Sequence, residues 1–149
     1  MRKGMPVVTI VAATLLWGGA GQAIAPERAA AAEAAACQRQ PSSVYVELSR
    51  SRYPETTDHF SDAIAAGEAA LLHIDRENAD LHREQSLENF PPRSGYDRDE
   101  YPPAMSREGG YGADVRYIDP SDNRGAGSVM GNALEAYCED QPFRIRFIP

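Results

Sequence analysis

The chain has 149 residues, a formal net charge of −7, and 42% hydrophobic against 25% charged side chains. That length fits one domain with something appended. The acidic balance argues against a protein that holds nucleic acid by phosphate electrostatics alone. It suits one that meets an anionic substrate through a bound cation, and its basic residues are almost all arginine, the better bidentate holder of phosphate.

Arg2 and Lys3 precede the apolar run Val7 to Trp17, and Ala23-Ile24-Ala25 has the small-x-small pattern of a cleavage site. Residues 1–25 therefore read as a secretory signal peptide, too short to span a bilayer comfortably. Pro26 disfavours cutting directly before it, so cleavage further on, up to Ala36, is the alternative, and an uncleaved N-terminal anchor is the competing reading. Removing residues 1–25 takes away Arg2 and Lys3 and leaves a charge of −9. Residues 26–42 read as an Ala-rich linker and residues 43–149 as the folded domain. No later stretch has the length of a transmembrane helix, so the expectation is an exported monomer without stable membrane association after cleavage. Cys37 and Cys138 sit near the two ends of that mature chain, and in an oxidising compartment a disulfide between them is favoured over free thiols. Such a long closed loop would add a few kcal/mol. Two cysteines without a Cys-x-x-Cys pair make no structural zinc site.

Val44 to Leu48 is a run of strand formers, followed by a loop over residues 49–57. Asp58 to Ala66 has helical spacing, with Thr57 or Asp58 as its cap, Phe60, Ile64 and Ala65 on one face, and Gly67 to end it. Ala69 to Ile74 is too short for periodicity to decide between strand and helix end. Asn78 to Leu87 reads as a solvated helix whose apolar points are Leu81 and Leu87, stopped by Pro91-Pro92. His59, His73 and His82 have no Cys or His partner at ligand spacing, which favours solvated or capping roles. Beyond them come the acidic cluster Asp97-Arg98-Asp99-Glu100, the Gly-rich turn Gly109 to Gly112, and a strand through Val115 and Tyr117. Pro120-Ser121-Asp122 breaks that strand and supplies a helix cap, Asn132 to Cys138 has helical spacing, and Phe143 to Ile148 alternates as a closing strand. The layout is a small α+β domain of three or four strands and about three helices.

The chemistry concentrates between Gly95 and Asn132. On an extended chain residues i and i+2 share a face, so Asp97 and Asp99 can look into one site. Carboxylates that close repel unless a cation lies near, and a hard divalent metal with oxygen ligands is the natural answer. Asn123 offers an amide oxygen, and a helix starting after it would aim free N–H groups at an anion. The bland alternative, a solvated acidic turn with Asp122 as a plain cap, stands level with this on spacing alone.

Four segments break the tie. Ser51-Arg52-Tyr53-Pro54-Glu55-Thr56, Gly95-Tyr96-Asp97-Arg98-Asp99-Glu100-Tyr101-Pro102, Glu108-Gly109-Gly110 and Pro120-Ser121-Asp122-Asn123-Arg124-Gly125-Ala126-Gly127-Ser128 together resemble the secreted bacterial deoxyribonucleases of the NucA/NucB family. The resemblance runs from about Val44 to Ile148. It implies a minimal ββα-metal (His-Me finger-like) core of strand, turn, strand and helix with flanking helices. It further implies a secreted, metal-dependent, largely sequence-non-specific DNA endonuclease using one Mg²⁺ or Mn²⁺. The substrate would be double-stranded DNA, with single-stranded DNA as a second candidate. Where such nucleases usually carry a histidine base, this chain has Asp97-Arg98-Asp99-Glu100. The resemblance thus makes Asp99 the general base with Glu100 its rival, and Asp97 and Arg98 their catalytic neighbours. The metal-binding asparagine maps onto Asn123, with Asn132 and Glu135 within reach of the metal shell. Arg98 and Arg124 become candidates for holding the scissile phosphate. An unperturbed aspartate base, with a pKa near 3.9, would keep activity to lower pH than a histidine does. The sequence departs from the family pattern at Tyr101 and Val129, which stand where tryptophans are common, and it lacks cysteines expected near Leu72 and Ser106. The competing reading is an inactive family member acting as a DNA-binding or inhibitor protein.

Overall fold

A computed structural model describes residues 37–149. The expected signal peptide and cleavage site and most of the expected Ala-rich linker lie outside the described residues. The chain runs β1 (Val44–Ser49), α1 (Pro54–Ala66), β2 (Leu72–His73), α2 (Ala79–Leu87), β3 (Asp97–Tyr101), β4 (Asp114–Ile118), α3 (Pro120–Leu134) and β5 (Pro142–Ile148). The α+β class is as expected, with five strands among the described residues. They form two small sheets: three strands in the order β1-β5-β2, and the hairpin β3-β4. β1 runs parallel to β5, with Val46 opposite Ile145 and Leu48 opposite Phe147, while β2 pairs with the other edge of β5 antiparallel.

The core lies where α1 and α3 cover β1. Ala126, Met130 and Leu134 recur every fourth residue on α3 and are buried with Phe60 and Ala63 of α1 and Val46, Leu48, Leu72 and Phe143 of the sheet. Each large aliphatic or aromatic side chain among them contributes about 1.5–3 kcal/mol of transfer free energy. Tyr101 stands in this core, its ring 4.8 Å from that of Phe60 and its hydroxyl donating to the Ala69 carbonyl at 2.7 Å. The phenol finds the acceptor that its burial demands.

Two helices begin elsewhere than local signals suggest. α1 starts at Pro54, inside the expected loop, and Thr57 and Asp58 lie within it rather than capping it. Proline suits a first helical position because it has no N–H to leave orphaned. The next two N–H groups are satisfied from far along the chain: Glu55 N donates to Asp122 Oδ2 at 2.9 Å and Thr56 N to Asp122 Oδ1 at 3.1 Å. Asp122 therefore caps α1. The cap of α3 is Asp119, whose Oδ1 accepts from Ser121 N and Asp122 N at 2.8 and 3.2 Å, and Glu55 Oε2 in turn accepts from Asp119 N at 2.9 Å. The two helix starts are thereby locked together.

α3 itself begins at Pro120 and ends at Leu134, whereas the helical spacing noted over residues 132–138 falls mostly beyond its end. Glycines at positions 125, 127 and 131 hide it, since each costs about 1 kcal/mol in a helix. Gly125 has a specific use. A Cβ there would lie 2.5 Å from Tyr53 Cε1, so only glycine lets α3 approach the tyrosine that leads into α1. At the other end of α1, Gly67 stops the helix as expected, with φ of 114° and its N–H on the Ile64 carbonyl at 3.1 Å.

Smaller expectations are revised as well. Ala65 is exposed, and α1 buries Thr56, Thr57, His59, Phe60 and Ala63 instead. Leu81 is exposed, and α2 docks through Ser86. The Glu108-Gly109-Gly110 segment serves β2: Glu108 accepts from His73 N at 2.9 Å and pairs with His73 Nδ1 at 2.7 Å. Leu72 and Ser106 are both buried, and Ile74 and Ser106 form a β-bridge, so these two stretches lie side by side without a local disulfide. Cys37 and Cys138 are joined by a disulfide, beside backbone hydrogen bonds from Gln38 N to Ala136 O at 2.7 Å and from Cys138 N to Gln38 O at 3.0 Å. The last linker residues are thus docked on the end of the domain. No helix among the described residues is long and apolar enough to cross a membrane.

Candidate active site

The β3-β4 hairpin pairs Asp97 with Ile118, Asp99 with Arg116 and Tyr101 with Asp114. Alternation along β3 sorts its side chains between two sets of helices. Asp97, Asp99 and Tyr101 turn toward α1 and α3, where Asp99 meets His59 and Asp97 meets Arg124. Arg98 and Glu100 turn toward α2 and the loop after it: Arg98 Nη1 donates to Phe90 O at 2.7 Å, and Glu100 Oε2 accepts from Ser86 Oγ at 2.8 Å. β3 pairs only with β4, so its other edge is open. A cavity of about 280 Å³ lies there, lined by Arg83, Arg98, Asp99, Glu100 and Asn123 over a floor that includes Phe60 and Met130. A second, of about 310 Å³, adjoins it and shares Arg83, Arg98 and Asn123 as lining, with Asp97 and Tyr96 added.

The two aspartates therefore do not line one cavity. Asp99 is 5% exposed, and burial pushes its carboxyl above the ordinary aspartate range, with His59 pulling the other way. Asp97 sits at the rim. Arg124 holds it with two hydrogen bonds, Nε to Oδ2 at 2.8 Å and Nη2 to Oδ1 at 2.9 Å, and keeps its carboxyl below the ordinary range. The cation that meets Asp97 is thus a guanidinium. The neighbouring Asn123 amide lowers the Asp97 carboxyl further. Glu100 is pushed up by burial as well, and Ser86 and Arg83 draw it back.

Other expected members are placed differently. Asn123 lies inside α3, its N–H bonded to the Asp119 carbonyl at 3.1 Å, and Asp119 occupies the preceding N–H groups. The helix start therefore offers no free N–H cluster to an anion. Asn132 and Glu135 are exposed and line neither cavity. Asn132 stands roughly 180° round the helix from Asn123, since successive residues turn by about 100°. Among the described residues there is no group of three or more His, Cys, Asp or Glu side chains able to hold a metal.

The residue that spacing rules missed is His59. It is fully buried, neither solvated nor capping, with Nδ1 2.7 Å from Asp99 Oδ2 and Nε2 3.0 Å from Asp114 Oδ1. Its place on α1, on the same side as Phe60 and Ala63, was the available signal.

A small α+β domain thus carries a buried carboxylate and an amide at the edge of one cavity. The model of one family, deoxyribonuclease NucA/NucB, matches residues 48–145, and the chain belongs to that family. A relative from Bacillus subtilis (strain 168), named DNA-entry nuclease, is 56% identical over 86 residues, which cover 58% of this chain and 58% of the relative. The chain thus matches somewhat over half of that relative's length.

Proposed function

We propose that this protein is a metal-dependent DNA endonuclease, hydrolysing phosphodiester bonds with little sequence preference and with Asp99 as general base. The carrying observation is the buried Asp99 carboxylate at the wall of a cavity that also presents Arg98 and Asn123. The family and the name of the relative supply the reaction class. Burial raises the proton affinity of Asp99, which makes it a better acceptor for the proton of an attacking water than an exposed aspartate would be. Arg98, bonded to the Phe90 carbonyl, lines both cavities, which supports a role in taking a phosphate oxygen. Arg124 reaches the phosphate from the rim, where 74% of its side chain is exposed. Glu100 stays tied to Ser86 and Arg83 and serves as a wall rather than the base.

The donor set suits a hard cation held mostly by its own water: one amide oxygen of Asn123 and neighbouring carboxylate oxygens, with no thiolate or histidine pair. When bound, Mg²⁺ or Mn²⁺ would neutralise the phosphate and stabilise the leaving oxygen. The N-terminal pattern of residues 1–25 supports export, and the substrate is double-stranded DNA, with single-stranded DNA as a second candidate.

Nicking of supercoiled plasmid, with and without EDTA, by wild type and Asp99→Ala tests this. The expected result is nicking that EDTA abolishes and Asp99→Ala lacks. Plasmid binding without nicking in added Mn²⁺ would instead mark a DNA-binding member without activity.

A further inference from the structure

We infer that His59 is a positioning residue for Asp99, within a chain Asp114–His59–Asp99 in which a histidine holds a carboxylate base in place. This rests on the reading of Asp99 as the base. In the common arrangement a carboxylate orients a catalytic imidazole. Here the order is reversed, because the imidazole is the buried member and the carboxylate is the one at the cavity.

The geometry leaves His59 no direct role. Its side chain has no exposed surface and lines neither cavity, and each ring nitrogen is already within hydrogen-bond distance of a carboxylate oxygen. An ionised carboxylate only accepts. To serve as base Asp99 must be ionised, so Nδ1–H donates to its Oδ2 and the other oxygen is left for the water. Asp114, with its side chain 46% exposed, takes the far side of the ring and keeps it from rotating. Phe60, the next residue on α1, packs its ring 5.8 Å from the imidazole and belongs to the hydrophobic core. The base is thereby referenced to the hydrophobic core. A hairpin strand with an open edge would not by itself hold a carboxylate so closely.

The test uses two amides that divide the two functions of the ring. The side-chain nitrogen of His59→Asn falls near the position of Nδ1 and keeps the bond to Asp99, whereas that of His59→Gln falls near Nε2 and keeps only Asp114. Both are compared with wild type for plasmid nicking under steady-state conditions and for melting temperature, with Asp99→Asn run in parallel. We expect His59→Gln to lose kcat by about 100-fold, the size of effect that roughly 1 Å of misplacement brings, with KM for DNA changed less than about threefold. His59→Asn should retain at least about tenfold more kcat than His59→Gln at similar melting temperature, because it keeps the donor to the base. Equal losses in the two variants that simply follow their melting temperatures would overturn the inference and leave His59 a structural ion pair. An inactive Asp99→Asn beside a fully active His59→Gln would overturn it too, while sparing the base. An active Asp99→Asn would instead remove the base reading, and the positioning role with it.

Discussion

Asp97 and Asp99 stand two residues apart on one strand and lead opposite lives. Asp99 is buried against α1, with an imidazole as its partner and a carboxyl pushed above the ordinary range. Asp97 lies at the rim against α3, with an exposed guanidinium as its partner and a carboxyl pushed below it. The residue type and the strand are the same, so the difference comes from which helix each one meets and how much water is left around it. A carboxylate with raised proton affinity beside a cavity is suited to accept a proton. One pinned by an arginine is suited to orient its neighbours. The contrast supports the proposed division of roles without reference to the order of residues in the motif.

The contrast can be broken by experiment. Asp99→Asn should cost about 10²- to 10⁴-fold in kcat in the nicking assay, the range for loss of a general base. Asp97→Asn should cost about 10- to 100-fold in activity or in apparent metal affinity, as for a residue that orients a ligand. If the two losses come out equal, or in the reverse order, the assignment fails. A pH profile sharpens the same point. The base works only when deprotonated, so activity falls as pH drops through the Asp99 pKa. With that pKa raised by burial, the acidic limb of kcat/KM should lie above the value of about 3.9 for a free aspartate. This revises the expectation of an unperturbed base, and a limb at or below the free value would count against a buried one.

Weaker effects follow from the neighbours of the pair. Asp122→Ala removes the acceptor for two N–H groups at the start of α1, the helix that carries His59. A lost cap of this kind costs about 1–2 kcal/mol. The melting temperature should fall by roughly 4–12 °C. An unchanged melting temperature would show that another group takes over the cap. The smallest effect belongs to Asp97 and Arg124. A carboxyl whose folded pKa is depressed adds stability above its unfolded pKa and loses it as pH falls through the folded value. Acid unfolding of Asp97→Asn should therefore show a slightly shallower dependence on pH below about 4 than wild type, and exposure keeps the difference small.

Much of the frame was legible before any coordinates. The strand formers of Val44 to Leu48, the alternation of Phe143 to Ile148 and the Gly-rich turn after Asp97 to Tyr101 all mark elements that exist. α3 was harder to read, because its glycines lower helix propensity for a reason that lies elsewhere in the chain, the close approach to Tyr53. The start of α1 was misplaced by four residues for a similar reason, since its cap is Asp122, 66 and 67 positions away from the N–H groups that it serves. Those two contacts also explain in physical terms why Tyr53-Pro54-Glu55-Thr56 and Ser121-Asp122-Asn123-Arg124-Gly125 occur in one chain. They form one joint between two helices.

By itself the sequence pointed to the family, the class of chemistry and a short stretch of candidate site residues. Local rules reach about one helical turn or two strand positions, and within that reach Asp97, Asp99, Glu100 and Asn123 could be singled out, with the family resemblance alone favouring Asp99. Only the tertiary structure decided the surroundings of each. It buried Asp99, set a histidine 40 positions earlier against it, tied Glu100 to α2 and gave Asp97 to Arg124. Burial and charge partners arise from contacts between distant segments, and they are what shift a carboxyl's affinity for its proton.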